Sequence, residues 1–116
     1  MAGIVEPAAA RVPPPCPRVA EGCGGCGWQH VEPAAQSALK RTLVAEALDR
    51  LGGLPDAELA PGPPLPATGY RTTLRGLADG DGRFCLRRHH RHHLVAVPGC
   101  LVAHPLVAEV VTDGRF

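Results

Sequence analysis

The run Pro13-Pro14-Pro15-Cys16-Pro17, followed by Cys23-Gly24-Gly25-Cys26-Gly27-Trp28-Gln29-His30, decides how this sequence is read. Proline lacks an N–H and fixes φ, so residues 13–17 are neither helix nor central strand. Residues 18–30 form a glycine-rich loop. Three thiols fall within eleven residues here, spaced Cys16-x6-Cys23-x2-Cys26, while Cys85 and Cys100 lie far downstream. Glycines between two cysteines let the backbone fold tightly, so that both thiolates can converge on one metal. An odd count of five cysteines speaks against a disulfide framework.

Working outward, residues 1–15 are Pro- and Ala-rich and irregular, with Ala2 to Glu6 readable as the end of a strand. On the other side, Pro33 suits the first position of a helix. Ala35, Leu39, Leu43, Ala47 and Leu51 then recur every four residues and give one apolar face, which Gly52-Gly53 ends. Five prolines between Pro55 and Pro66 make residues 54–68 an extended connection. Tyr70 to Leu77 reads as a strand, Asp79-Gly80-Asp81-Gly82 as a turn, and Arg83 to Arg88 as the return strand. Leu94 to Val97 is a third strand, and His104-Pro105 opens a short helix over Leu106 to Val111. The expected organisation is a cysteine loop (16–32), a helix (33–53), a connection (54–68) and a β-meander subdomain (69–111). Together these make an α+β fold.

With 116 residues the chain suffices for one small domain. Fourteen glycines, thirteen prolines and only one Trp, one Tyr and two Phe leave little to fill a core. Such chains need a staple, a metal or disulfides. No apolar run reaches a membrane span, and the first residues lack a basic then apolar leader, so the expectation is a soluble, cytoplasmic protein. The net charge of +1 hides a polarity: residues 66–93 carry six arginines and four histidines against Asp79 and Asp81. A local basic block points to a polyanionic partner. Arg71, Thr73 and Arg75 share a face of one predicted strand, and Arg83 and Arg87 a face of the next. If those faces coincide, four guanidiniums line one ribbon and suit RNA phosphates. The competing reading is a charged edge that keeps a hairpin soluble. The tract His89-His90-Arg91-His92-His93 is read as a titrating basic edge rather than a metal site, because alternate strand residues face opposite ways.

The radical S-adenosylmethionine loop, C-x3-C-x2-C, would need a cysteine at Val19 and is excluded. Zinc could take Cys16, Cys23 and Cys26 with His30 or Cys100, and an iron–sulfur cluster could take four thiolates, three local and one remote. Spacing alone leaves both open. The flanking residues do not: Pro15-Cys16-Pro17 followed by Cys23-Gly24-Gly25-Cys26-Gly27-Trp28-Gln29-His30 resembles the iron–sulfur loop of the bacterial RNA (uracil-5-)methyltransferases. Gln36 and Lys40 match that family's next helix, Tyr70-Arg71 and Gly82-Arg83-Phe84 with Arg87 its strand start and hairpin, and Val97-Pro98-Gly99-Cys100 with His104-Pro105 its fourth-cysteine segment.

The resemblance covers roughly residues 4–111. It implies a [4Fe-4S] cluster on Cys16, Cys23, Cys26 and Cys100, with Cys85 a small strand residue outside the ligand set. The arginine ribbon gives Arg71, Arg75, Arg83 and Arg87 as the expected RNA contacts, with structured rRNA or tRNA as the partner of a monomer. The family transfers a methyl group from S-adenosylmethionine to carbon 5 of a uridine after a cysteine attacks carbon 6. A TRAM barrel precedes the family's cluster, and only its last strand would remain in residues 1–15. The glycine-rich S-adenosylmethionine loop and the cysteine nucleophile have no counterpart here, so the chain is expected to be a fragment, inactive alone. The alternative is a self-contained zinc-binding module that contacts nucleic acid or protein. Trp28 would shield the cysteines or stack a base.

Overall fold

The structure is a computed structural model and describes residues 4–116. The chain divides into two compact units: the residues up to Pro13 with Trp28–Pro64, and Pro14–Gly27 with Leu65–Phe116. The strand end read over Ala2 to Glu6 begins outside the described residues, and Ile4 to Pro7 carry no strand.

The first unit is built on one helix, α1 (Pro33–Gly52). Pro33 starts it, where a missing N–H costs nothing. Gly53 stops it in the left-handed region (φ 63°), donating its N–H to Asp49 O and Leu48 O. An antiparallel bridge between Arg11 and Val31 brings the preceding chain against the helix entry, with Val12 N–H on His30 O at 3.0 Å and Glu32 N–H on Ala10 O at 2.8 Å. Gln36 Nε2 donates to Val31 O (3.0 Å) and Trp28 O (3.3 Å), while Lys40 Nζ lies 5.4 Å from the Trp28 ring centroid. The expected apolar stripe is present in sequence but not covered: α1 has no buried residue, and Leu39, Leu43 and Leu51 are exposed.

The second unit holds a three-stranded antiparallel sheet in the order β1 (Leu77–Ala78), β2 (Phe84–Arg87), β3 (Leu94–Ala96). In register, Leu77 faces Cys85, and Cys85 faces Ala96. Helix α2 (Pro105–Asp113) follows, its entry capped by His104 Nδ1 accepting from Leu106 N–H. The core is small: Cys85 and Val97 are fully buried, joined by Val95, Val102, Ala103 and Val111. The predicted strand over Tyr70 to Leu77 shrinks to Leu77–Ala78. The physical reason is competition for main-chain groups, because Gly69 N–H bonds Leu101 O (2.9 Å), Arg71 N–H bonds Val102 O (2.8 Å) and His104 N–H bonds Arg71 O (2.8 Å). That stretch therefore pairs with the segment after β3 and not with β2. No helix among the described residues is long and apolar enough to cross a membrane.

Candidate functional site

Cys16 caps a single 3-10 turn, Pro17–Val19, and accepts from Val19 N–H at 3.2 Å. The chain then returns, with Cys23 N–H on Arg18 O at 2.9 Å. From Gly22 to Gly24 the loop is bonded to the end of β2: Gly24 N–H donates to Arg87 O and His89 N–H to Gly22 O, both at 2.9 Å. Cys23 and Arg88 form an antiparallel bridge. The two glycines of the Cys-Gly-Gly-Cys run let the loop approach β2 closely. A Cβ at Gly24 would lie 2.9 Å from Arg87 O, and one at Gly25 2.8 Å from Leu86 Cδ1. Sequence reasoning assigned these glycines to loop tightness alone and missed their contact with β2.

Cys16, Cys23, Cys26 and Cys100 are half-buried, whereas Cys85 is fully buried. Burial raises the Cys23 thiol above its usual range, the Gly25 N–H opposes that, and charge on Cys26, Cys16 and Cys100 raises it further. Arg71 joins the loop to the turn that bears Cys100, with its Nη1 on Gly25 O at 3.1 Å and its N–H on Val102 O at 2.8 Å. Cys100 sits in the turn after β3, where Ala103 N–H returns to its carbonyl at 3.0 Å. Cys85 has other company: its Sγ lies 3.6 Å from Asp79 Oδ2 and 3.4 Å from Arg83 O. Burial and then Asp79 raise its thiol. Among the described residues no three His, Cys, Asp or Glu side chains stand in metal-ligating geometry. In the histidine tract the His89 and His90 ring centroids lie 4.0 Å apart with the rings tilted by 32°.

Beside the cysteine loop lies a cleft of about 410 Å³, with Gly24 and Gly25 on one side and Arg71, Arg75 and Arg87 around it. Arg71 Nη1 donates to Gly25 O at 3.1 Å, and an Arg87 Nη1 faces His92 Nδ1 at 3.0 Å. Three of the four arginines singled out from sequence thus line one cleft, although the strand expected to carry Arg71 and Arg75 does not form there. The fourth does not join them. Arg83 is ion-paired with Asp79 (2.8 Å) and Asp81 (3.0 Å) at the hairpin turn. Asp79 also accepts Asp81 and Arg83 N–H at 3.0 and 2.9 Å. These bonds, the Arg83 N–H first, hold its carboxyl at about 2.

No family model matches the chain. No solved structure matches it either. Curated proteins do. An uncharacterized RNA methyltransferase of Streptomyces coelicolor is 40% identical over 97% of this chain and 27% of its own length. The 23S rRNA (uracil(1939)-C(5))-methyltransferase RlmD of Alkalilimnicola ehrlichii is 33% identical over 97% of the chain and 26% of its own length. The protein of the same name from Acidithiobacillus ferrooxidans is 32% identical over 90% and 24%. The chain spans about a quarter of the length of the curated relatives it matches. Over nearly its whole extent, the chain is similar to one segment of bacterial proteins named RNA methyltransferases.

Proposed function

We propose that this chain is the iron–sulfur and RNA-recognition portion of an S-adenosylmethionine-dependent RNA (uracil-5-)methyltransferase acting in the cytoplasm on rRNA or tRNA. One observation carries the reading: Arg71 binds both the cysteine loop, through Gly25 O, and the turn that bears Cys100, through Val102 O. Its setting, a chain similar to proteins named RNA methyltransferases, supports it. Four half-buried thiols, three local and one distant, are the donor set of a [4Fe-4S] cluster. Cys16, Cys23, Cys26 and Cys100 would hold it. When bound, it supplies a tie between the loop and the turn after β3, in a unit whose apolar core is small. Arg71, Arg75 and Arg87 engage RNA phosphates, to which guanidinium binds in a bidentate manner. Methyl transfer to carbon 5 of a uridine is assigned to parts of such enzymes outside the matched segment.

Anaerobic reconstitution with iron and sulfide tests this. About four irons per chain and a brown colour are expected. Cys100→Ser should lose the colour and Cys85→Ser should keep it. The opposite pattern overturns the ligand set. A colourless protein that takes up zinc through the same cysteines overturns the cluster and favours a zinc-binding interaction module.

A further inference from the structure

We infer that the cleft beside the cysteine loop is a pocket for one unpaired ribonucleotide, its phosphate on the arginines and its base against Leu74 and Leu86. The inference rests on the RNA-recognition reading above and names what that surface takes. Three observations carry it. The first is shape: about 410 Å³ lies within the range of about 300–1,000 Å³ typical of small-ligand sites. A surface that only tracked the outside of a duplex would need no such concavity, because paired bases are not splayed out from an A-form helix.

The second observation is the division of the lining. Arg71, Arg75 and Arg87 bring guanidiniums and Leu74 and Leu86 bring apolar surface, with no carboxylate among the lining residues. The nearby acidic pair, Asp79 and Asp81, is engaged with Arg83 at the hairpin turn, so it leaves the cleft's charge uncompensated. A phosphate plus a base needs this pairing of chemistries. The third is preorganisation. Arg71 spends one N–H on Gly25 O, which fixes its fork while further N–H donors remain. A guanidinium already held costs less order to use. Leucine offers contact area without base-edge donors, so the pocket should select for an unpaired nucleotide more than for a particular base.

The test uses the full 116-residue chain. Fluorescence anisotropy would follow a short labelled oligouridylate, a duplex of equal length, and competition by uridine 5′-monophosphate or by uridine. Expected are tighter binding of the single strand and competition by the monophosphate but not by uridine. Thr73→Glu sets a carboxylate in the lining from an exposed position. It and Arg75→Ala should each weaken oligouridylate binding about tenfold, as for loss of a charge-assisted bond. Arg75→Ala should flatten the log–log salt slope by about 0.7, one phosphate contact. Arg115→Ala, outside the cleft, should leave both unchanged. If Thr73→Glu and Arg75→Ala bind like the parent, or duplex binds equally well, the pocket is refuted and the broader RNA-recognition reading stands. Failure of the reconstituted parent chain to bind either RNA overturns both.

Discussion

At the scale of single residues, Asp79 accounts for two outcomes that composition did not foretell. It withdraws Arg83 from the basic face, and it lies against the buried Cys85 thiol. The turn itself was legible in Asp79-Gly80-Asp81-Gly82. Which partner Arg83 would choose was not, because strand alternation points it toward Cys85 and Arg87 while the turn brings two carboxylates closer. The pairing has a consequence for acid. With the Asp79 carboxyl held at about 2 against 3.8 in a free chain, its contribution to the hairpin is complete above about pH 4. It is lost as pH falls through about 2, because the folded hairpin must then give up the ionised form. Amide chemical shifts of Asp81 and Arg83 should therefore titrate with a midpoint near 2, and a midpoint near 4 would contradict the pairing. Asp79→Asn should speed hydrogen exchange at the Arg83 amide, since the ion pair goes and a weaker neutral acceptor is left.

At the scale of elements, α1 was readable from its bounds, Pro33 and Gly52-Gly53, because caps are local chemistry. β1 was not readable. Its extent is set by the contest between β2 and residues 101–104 for the same backbone groups, a nonlocal matter that periodicity cannot see. The seating of the cysteine loop on β2 is likewise nonlocal, and it sets the two glycines apart. At Gly24 the obstruction is backbone, Arg87 O and His89 N; at Gly25 it is the end of the Leu86 side chain, which can rotate. Gly24→Ala must therefore lift the loop off β2 and should cost about 1–3 kcal/mol, as overpacking does. Gly25→Ala should cost less, and Gly27→Ala, whose Cβ meets nothing within 4 Å, should be close to neutral apart from chain entropy. Denaturant unfolding of the three variants would rank them. Equal losses at Gly24 and Gly27 would mean that the loop is not seated as described.

At the scale of the whole molecule, the likeness to proteins named RNA methyltransferases was legible, since the cysteine loop and its flanking residues are a few positions with restrictive chemistry. The division into two units and the absence of any buried residue in α1 were not, because an apolar stripe says that a face can be buried and not what buries it. By themselves, these 116 residues should not methylate RNA. Methylation of a uridine carbon needs a thiolate, a proton-abstracting base and a cofactor seat held in register. If four thiols serve a cluster, the remaining one is Cys85, which is buried and has its thiol pushed up by burial and by Asp79, the opposite of an activated nucleophile. The carboxylate beside it is no base either, being ion-paired to Arg83 and ionised down to about pH 2. Among the described residues the strands form an antiparallel meander, without the strand–glycine loop–helix unit that seats a nucleotide-like cofactor. The purified chain incubated with labelled S-adenosylmethionine and bulk RNA should thus transfer no label above background. Transfer that vanished in Cys85→Ser would show that a buried, acid-flanked thiol can act as the nucleophile, and would remove Cys85 from the structural core to the reaction centre.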